Sequence, residues 1–381
     1  MRTYERTHPW ISFRFDPRKL PYPVWILLGE AAAGCTWLRE AALPAREGEL
    51  INYIARLRGV LGNAALDGNT LSEDQVDRLL EGSLRLPPSQ VFQEREVRNL
   101  LKAVSWAEAR NKAGDHDMGP WALQVLHAQV MKELPVPADD APGEFRSVRS
   151  AAPGTEVPPE EVLPLLDRLR EWTSSALFNP EHGEEQMPFA VLRALAMHLY
   201  LLWIAPFAEG NGRTARLAEF QVLLGAGIPA VAAHALAAHA SATRGEYLRQ
   251  TMQAASGGGD ITPFLAYMVR GFADAVKAVV AEVAAVQHGV LAQDELRRRV
   301  DPLALPNGLR LHQLAQALLG ERSSVPTAKV PQLSPPLAHA YARLNAKTLQ
   351  RDLAHLEELG LAKRSRGAVQ AVPVQLRPFH L

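Results

Sequence analysis

Pro206-Phe207-Ala208-Glu209-Gly210-Asn211-Gly212-Arg213-Thr214-Ala215-Arg216 separates two helical patterns, and its reading decides the fold. An apolar, helix-periodic run ends at Ala205 just before it, and a second helical run begins within it. Gly210 and Gly212 let the backbone approach a ligand closely and take positive φ angles. Successive N–H groups in such a turn, followed by a helix start, form a concave anion site. Arg213 and Arg216 are three residues apart, so both fall on one helical face and can grip phosphate oxygens. Glu209 is an anion among cations, which points to a divalent ion, most naturally Mg²⁺ shared with the phosphates. Asn211 offers an amide donor and acceptor to orient a ligand. The plain alternative is a glycine-capped connection between helices with surface arginines. Pro-Phe in front and Glu, Asn and two Arg interleaved argue against it.

The stretch resembles the signature of the Fic (Fido) family, His-Pro-Phe-x-Asp/Glu-Gly-Asn-Gly-Arg-x-x-Arg. Every specified position matches except the first, where Ala205 stands in place of His. The resemblance implies a mainly α fold, a Fic-type helical bundle with a small β-hairpin flap. It also implies binding of ATP with Mg²⁺ and transfer of AMP to a Ser, Thr or Tyr hydroxyl of a target protein. Carried over by position, Glu209 would hold the metal. Asn211, with the backbone of Gly210 and Gly212, would cradle the α- and β-phosphates. Arg213 would neutralise the β-phosphate, and Arg216 would lie at the γ-phosphate. The histidine absent at 205 is the family's general base. Other donors of the superfamily (UTP, GTP, CDP-choline) stay open.

Working outward, Leu66-Asp67-Gly68-Asn69 reads alone as an Asp-Gly turn between helices. Beside the Fic motif it resembles the family's inhibitory motif, Ser/Thr-x-x-x-Glu-Gly/Asn, with Asn63 for Ser/Thr, Asp67 for Glu and Asn69 completing the turn. The resemblance implies an ion pair from Asp67 to Arg216 that blocks the γ-phosphate. Asp is one methylene shorter than Glu, so a strained, water-bridged or absent pair stays open beside a direct one. Residues 143–159 resemble the flap, which would hold a target backbone by strand addition. His234, His239, Ser241, Thr243, Arg244 and Tyr247 fall where the family completes its nucleotide-base pocket. The two histidines are five apart, a poor spacing for a metal on one helix face.

Composition frames this. At 381 residues the chain has room for two or three cores, and 41 basic against 41 acidic residues advertise neither nucleic acid nor membrane. The single cysteine, Cys35, excludes an internal disulfide and suits a reducing cytoplasm, where a buried thiol is expected. No signal-peptide pattern opens the chain, and the apolar run from Phe189 to Ile204 reads as too short to span a bilayer. The expected organisation is an N-terminal helical region (1–110) with the inhibitory-like motif at 63–69. A Fic core (111–275) follows, with flap (143–159) and phosphate loop (205–216), then a linker helix (276–300) and a last domain (301–381).

That last domain resembles a winged helix-turn-helix. Asn345 caps a helix whose Leu349, Leu353, Leu356 and Leu359 form one stripe, and Gly360 closes it. Lys347, Thr348, Gln350 and Arg351 would be exposed on a recognition helix, with Lys363, Arg364 and Arg366 in a basic wing. Asp352, Glu357 and Glu358 weigh against DNA, and a homodimer module is the competing role. Three functions stay open on sequence: a protein adenylyltransferase altered at 205, a natural nucleotide-binding pseudoenzyme, and a DNA-binding regulator with a ligand-sensing Fic domain.

Overall fold

Apolar residues at three- and four-residue steps become helices in the computed structural model, which describes residues 8–135, 141–148, 157–181, 183–300, 307–321 and 323–372. The first helices are α1 (Tyr22–Glu40), α2 (Ala45–Leu66), α3 (Glu73–Leu80), α4 (Val91–Lys112), α5 (Pro120–Val130) and α6 (Pro159–Thr173). They continue with α7 (Gly183–Ile204), α8 (Asn211–Gly225), α9 (Ala230–Ala233), α10 (Ala235–Ala242), α11 (Arg244–Ser256) and α12 (Thr262–Arg299). One compact unit ends at Val283 and a second begins at Ala284. Helix α4 runs through residue 110, and residues from Ile11 to Val276 share a single hydrophobic core.

Local signals set the helix ends. Ser72 accepts from the Gln75 N–H at 3.2 Å while Gln75 reaches back to the Ser72 N–H at 3.0 Å, a capping box that starts α3. At the end of α2, Gly68 turns left-handed (φ +98°) and hands Asn69 N–H back to Ala64.

Helix α8 is the hub. Every residue from Thr214 to Leu224 is buried, and α7, α4 and α5 pack around it. Each Leu or Phe so buried stabilises the fold by about 2 kcal/mol. Helix α2 lies against α9 and α10 so closely that a Cβ at Gly62 would sit 2.8 Å from the Ala237 carbonyl oxygen. That contact brings the end of α2, with Asn63 and Asp67, to the start of α8.

The sequence expectation on apolar length needs correction. Glu185–Ile204 and Thr262–Arg299 are both long and apolar enough to cross a membrane by length and composition. The apolar window of the first is 72% buried inside the protein, as a core helix requires, and that of the second is 11% buried. Cys35 is buried as expected, and burial pushes its thiol up to about 12.

The second unit carries α13 (Gly308–Leu319), β1 (Val325–Pro326), α14 (Pro335–Tyr341), α15 (Ala346–Glu358), β2 (Ala362–Ser365) and β3 (Ala368–Ala371). The strands pair antiparallel in the order β1-β3-β2, with Arg364 opposite Val369. Asn345 caps α15 by accepting from the Thr348 N–H at 3.0 Å, and Leu349, Leu353 and Leu356 face the core. Asp352 is not a surface acid: it is 1% exposed and accepts from Tyr341 Oη and Arg310 Nε, both at 2.7 Å.

Candidate functional site

The site is built where α7 stops and α8 starts. Helix α7 ends because Pro206 cannot continue it. Ala205 absorbs the turn with φ +44°, a left-handed conformation that L-residues avoid and that a following proline disfavours further. Arg146 holds it there. Its backbone N–H donates to Pro206 O at 3.0 Å, and its buried guanidinium donates to Ala205 O at 2.7 Å and Val157 O at 2.6 Å. Ala205 itself is 3% exposed. Gly210, at φ +71°, precedes α8, and a Cβ there would lie 2.6 Å from Met131 Sδ.

Asn211 departs from its expected role. Its amide oxygen accepts from Phe207 N–H at 2.9 Å, and its Nδ2 donates to Phe207 O at 2.7 Å. The side chain therefore staples the loop, and the anion-facing groups left are backbone N–H groups. Those of Asn211, Gly212 and Arg213 open α8 and have no intrahelical acceptor. Glu209 is exposed at the mouth of this cradle, and its carboxylate makes no ion pair among the described residues.

His127, on α5, escaped the sequence reading. Its ring stacks flat on Phe207 with centroids 3.7 Å apart. Nε2 donates to Glu209 O and Nδ1 accepts from Gly143 N–H, each at 2.9 Å. Burial pushes its pKa down to about 4, so the ring is neutral near pH 7 with the proton on Nε2. Both nitrogens are occupied in tying residue 143 to the phosphate loop. His127 therefore does not replace the missing base.

Both motif arginines turn inward. Arg216 donates from Nε to Asn63 Oδ1 at 2.7 Å and from Nη2 to Asn63 O at 3.0 Å and Asp67 Oδ2 at 2.5 Å. The shorter Asp side chain thus makes the direct pair that the resemblance implies, neither water-bridged nor absent. Arg213 donates from Nη1 to Glu96 Oε1 at 2.6 Å, with Nε 3.6 Å from Asp67 Oδ2. Glu96, on α4, was invisible in sequence as one acid among several on its helix. Asn69, expected as part of the inhibitory motif, touches neither arginine. It donates instead to Glu96 Oε2 at 2.7 Å and to Gln93 O at 3.0 Å. Burial pushes the Glu96 carboxyl above its usual range while Arg213 pulls it back.

Under Arg216 lies a buried polar chain. Tyr247 Oη is 2.8 Å from His198 Nε2, and His198 Nδ1 is 2.5 Å from Glu219 Oε2. Burial pushes the Tyr247 phenol up to about 12. His234 stacks on Phe220 at 4.4 Å, and His239 packs against Tyr267 at 5.1 Å. Tyr247 and His234 are core residues supporting α8, not open faces for a base. Ser241 and Arg244 stand at the surface-facing end of α10 and the start of α11, and Thr243 donates to His239 O at 2.7 Å.

Of the expected flap, 149–156 lie outside the described residues. Gly143 and Glu144 form a turn, and Pro159 already opens α6. In the second unit Lys347, Gln350, Arg351, Lys363 and Arg366 are exposed, while Thr348 is half-buried and bonded to the Asn345 cap. Arg364 is committed: its Nε donates to Glu357 Oε2 at 2.6 Å and its N–H to Glu357 Oε1 at 3.1 Å. It is not a free wing charge.

Fold and site together define a helical protein with an anion-accepting loop–helix junction whose two arginines are held by carboxylates. Residues 118–223 match the family model of the Fic/DOC family. The chain is 28% identical over 214 residues to the protein adenylyltransferase fic-1 of Caenorhabditis briggsae, covering 55% of this chain and 38% of that protein. It is 28% identical over 210 residues to the protein adenylyltransferase Fic of Nematostella vectensis, covering 54% and 44%. The chain thus spans less than half the length of these curated relatives. A Fic family protein from Desulfovibrio desulfuricans shares the fold with a TM-score of 0.56 at 19% identity, over 96% of this chain and 100% of that one. Fic-1 from C. elegans does so with a TM-score of 0.55 at 20% identity, over 69% and 74%. This chain carries a Fic/DOC-family domain over residues 118–223.

Proposed function

We propose that this chain holds ATP·Mg²⁺ in the cradle at 205–216 as a Fic-type protein adenylyltransferase that, with Ala205, transfers AMP negligibly. One observation carries the reading: the backbone N–H groups that open α8 stay free with Arg213 and Arg216 held beside them by carboxylates, while the position before Pro206 holds a buried methyl group and the nearby His127 has both nitrogens engaged. Glu209 would hold the metal, since Mg²⁺ takes one or two carboxylates and completes its shell with phosphates and water. The bound ion supplies charge neutralisation to the phosphates.

In the transfer, a target Ser, Thr or Tyr oxygen bonds to the α-phosphorus and the bond to the pyrophosphate oxygen breaks. Pyrophosphate leaves, and the hydroxyl proton needs an acceptor. Arg213 and Arg216 oppose the charge that builds on the leaving group. A positioned base accelerates such a step by about 10²–10⁴-fold, and alanine accepts no proton. The test is Ala205→His against the parent chain, each with labelled ATP, UTP, GTP or CDP-choline and a cell lysate. The expected result is label on the chain or on a lysate protein, with a +AMP mass shift, only for the variant. No transfer from any donor by a folded variant that still binds ATP would reduce the assignment to a nucleotide-binding pseudoenzyme.

A second reading concerns residues 307–372. We propose that they act as a winged helix-turn-helix, a reading supported by their order of helix, strand, two helices and hairpin and by the exposed Lys347, Arg351 and Lys363. We propose duplex DNA as the ligand of that surface, with phosphate contacts giving a salt-dependent affinity.

A further inference from the structure

We infer that Glu96 is a second inhibitory carboxylate, which withholds Arg213 from a nucleotide's β-phosphate as Asp67 withholds Arg216 from the γ-phosphate. The inference rests on the nucleotide reading of the site and deepens it.

Four observations converge on Glu96. It is 5% exposed, so it is not a surface acid that happens to lie near a cation. One of its oxygens takes the Arg213 Nη1 proton at 2.6 Å, and the other takes Asn69 Nδ2 at 2.7 Å, so its orientation is fixed from both sides. Arg213 is left with a buried Nε that donates no hydrogen bond, because Asp67 stands at 3.6 Å. An arginine placed for its own stability would use that donor; a phosphate oxygen reaching it would satisfy it. Finally, Asn69 is two residues from Asp67 in the turn that ends α2. The turn therefore carries one jaw itself and orients the other, which stands on α4.

Two carboxylates on different helices then occupy the two arginines that a polyphosphate needs. A nucleotide competes with both. Displacing Asp67 alone frees Arg216 and removes only the longer, 3.6 Å contact of Arg213. Arg213 stays committed until Glu96 or its Asn69 anchor gives way.

The test measures binding of ATP·Mg²⁺, ADP·Mg²⁺ and AMP to the full chain by calorimetry. The proteins are the parent, Glu96→Gln, Asp67→Ala, the double variant and Asn69→Ala, each checked for a cooperative thermal transition. Glu96→Gln should tighten ATP and ADP about tenfold, the scale of one charge-assisted pair, and leave AMP unchanged because AMP has no β-phosphate. Asn69→Ala should move the same two ligands the same way by a smaller factor, and it serves where Glu96→Gln fails to fold. The double variant should multiply the two single gains for ATP. The inference is overturned if Glu96→Gln and Asn69→Ala leave ATP and ADP at parental affinity while Asp67→Ala tightens ATP. It is overturned equally if AMP gains as much as ADP, which marks a general loosening. Failure of every protein, Asp67→Ala included, to take up ATP or ADP would remove the nucleotide reading as well.

Discussion

Replacing Asp67 by Ala should make the apo protein less stable and the nucleotide complex tighter, and the two magnitudes come from different parts of the same contact. The Arg216 side chain is 3% exposed and that of Asp67 is 35% exposed. A fully buried pair broken on one side costs about 3–5 kcal/mol, and a fully exposed one contributes at most about 1. This pair lies between, at about 2 kcal/mol. In the apo variant Arg216 keeps Asn63 Oδ1 and Asn63 O as acceptors, so part of that is retained. Asp67 also follows the C-terminal end of α2, where the helix dipole disfavours an anion by about 0.3–1 kcal/mol. The net loss of stability is then about 1 kcal/mol, a fall of about 2–4 °C in the melting temperature. A triphosphate gains the whole pair, because it no longer displaces the carboxylate. That is about 2 kcal/mol, or about thirtyfold in Kd for ATP·Mg²⁺. Alanine is preferable to glycine here: Asp67 has φ −99°, so no left-handed freedom is needed. Calorimetric titration with ATP·Mg²⁺ and thermal denaturation of the same samples give both numbers. A folded variant whose ATP affinity equals or falls below the parent's would refute the reasoning, because Arg216 would then not be competed for.

Three further outcomes follow from the geometry. His127 and His234 are held near 4 and 3 by burial, below the ordinary 6.5, so the stability they contribute is fully present above about pH 6.5 and is lost as pH falls toward those values. Chemical denaturation between pH 7 and 4 should show stability falling, and His127→Gln should reduce the slope by up to about 1.4 kcal/mol per pH unit; an unchanged slope would show that the ring titrates normally. Arg146→Met removes donors from the carbonyls of Ala205, Val148 and Val157 and should cost about 3 kcal/mol or more while abolishing ATP binding; retention of both, by denaturation and titration, would show that the loop holds its left-handed turn unaided. In the second unit, Lys347→Glu with Arg351→Glu should abolish a duplex-DNA mobility shift that weakens with salt, whereas Arg364→Glu should matter less because Glu357 already holds that arginine; a shift indifferent to the first pair would exclude this docking surface.

The loop, both arginines and the Asp67 turn were legible because their chemistry is local: glycines, an acid and cations at fixed offsets. What they do with each other was not. Asn211 carries the right groups for a phosphate and spends them on Phe207, a bond set by a tight loop that no spacing rule reports. Glu96 and His127 reach the site from α4 and α5, where each is an unremarked residue on a helical stripe. Asn69 was placed at the turn without a partner, since only packing shows that it faces Glu96. In the second unit the helix cap and leucine stripe followed from periodicity, while Asp352 looked solvated and is a core acid for Arg310 and Tyr341.

Three local choices around the loop are unfavourable taken singly. Ala205 holds a left-handed turn before a proline, Asp67 puts an anion at a helix C-terminus, and Glu96 buries a carboxylate. Each is relieved by a neighbouring arginine: Arg146 clamps the turn, Arg216 answers Asp67, and Arg213, with Asn69, answers Glu96. Strain that persists because surrounding groups over-determine it belongs to sites with a task, and on the proposed reading that task is holding two arginines ready but occupied. A proton acceptor forms no part of that balance. On the proposed nucleotide reading, the clamped apo state and the nucleotide-filled state would differ by an exchange of carboxylates for phosphates, whatever stands at 205. With histidine there, the exchange would switch a transferase on; with alanine, it would leave a binding switch whose direct physical consequence is release of the α2 turn that carries Asp67 and Asn69.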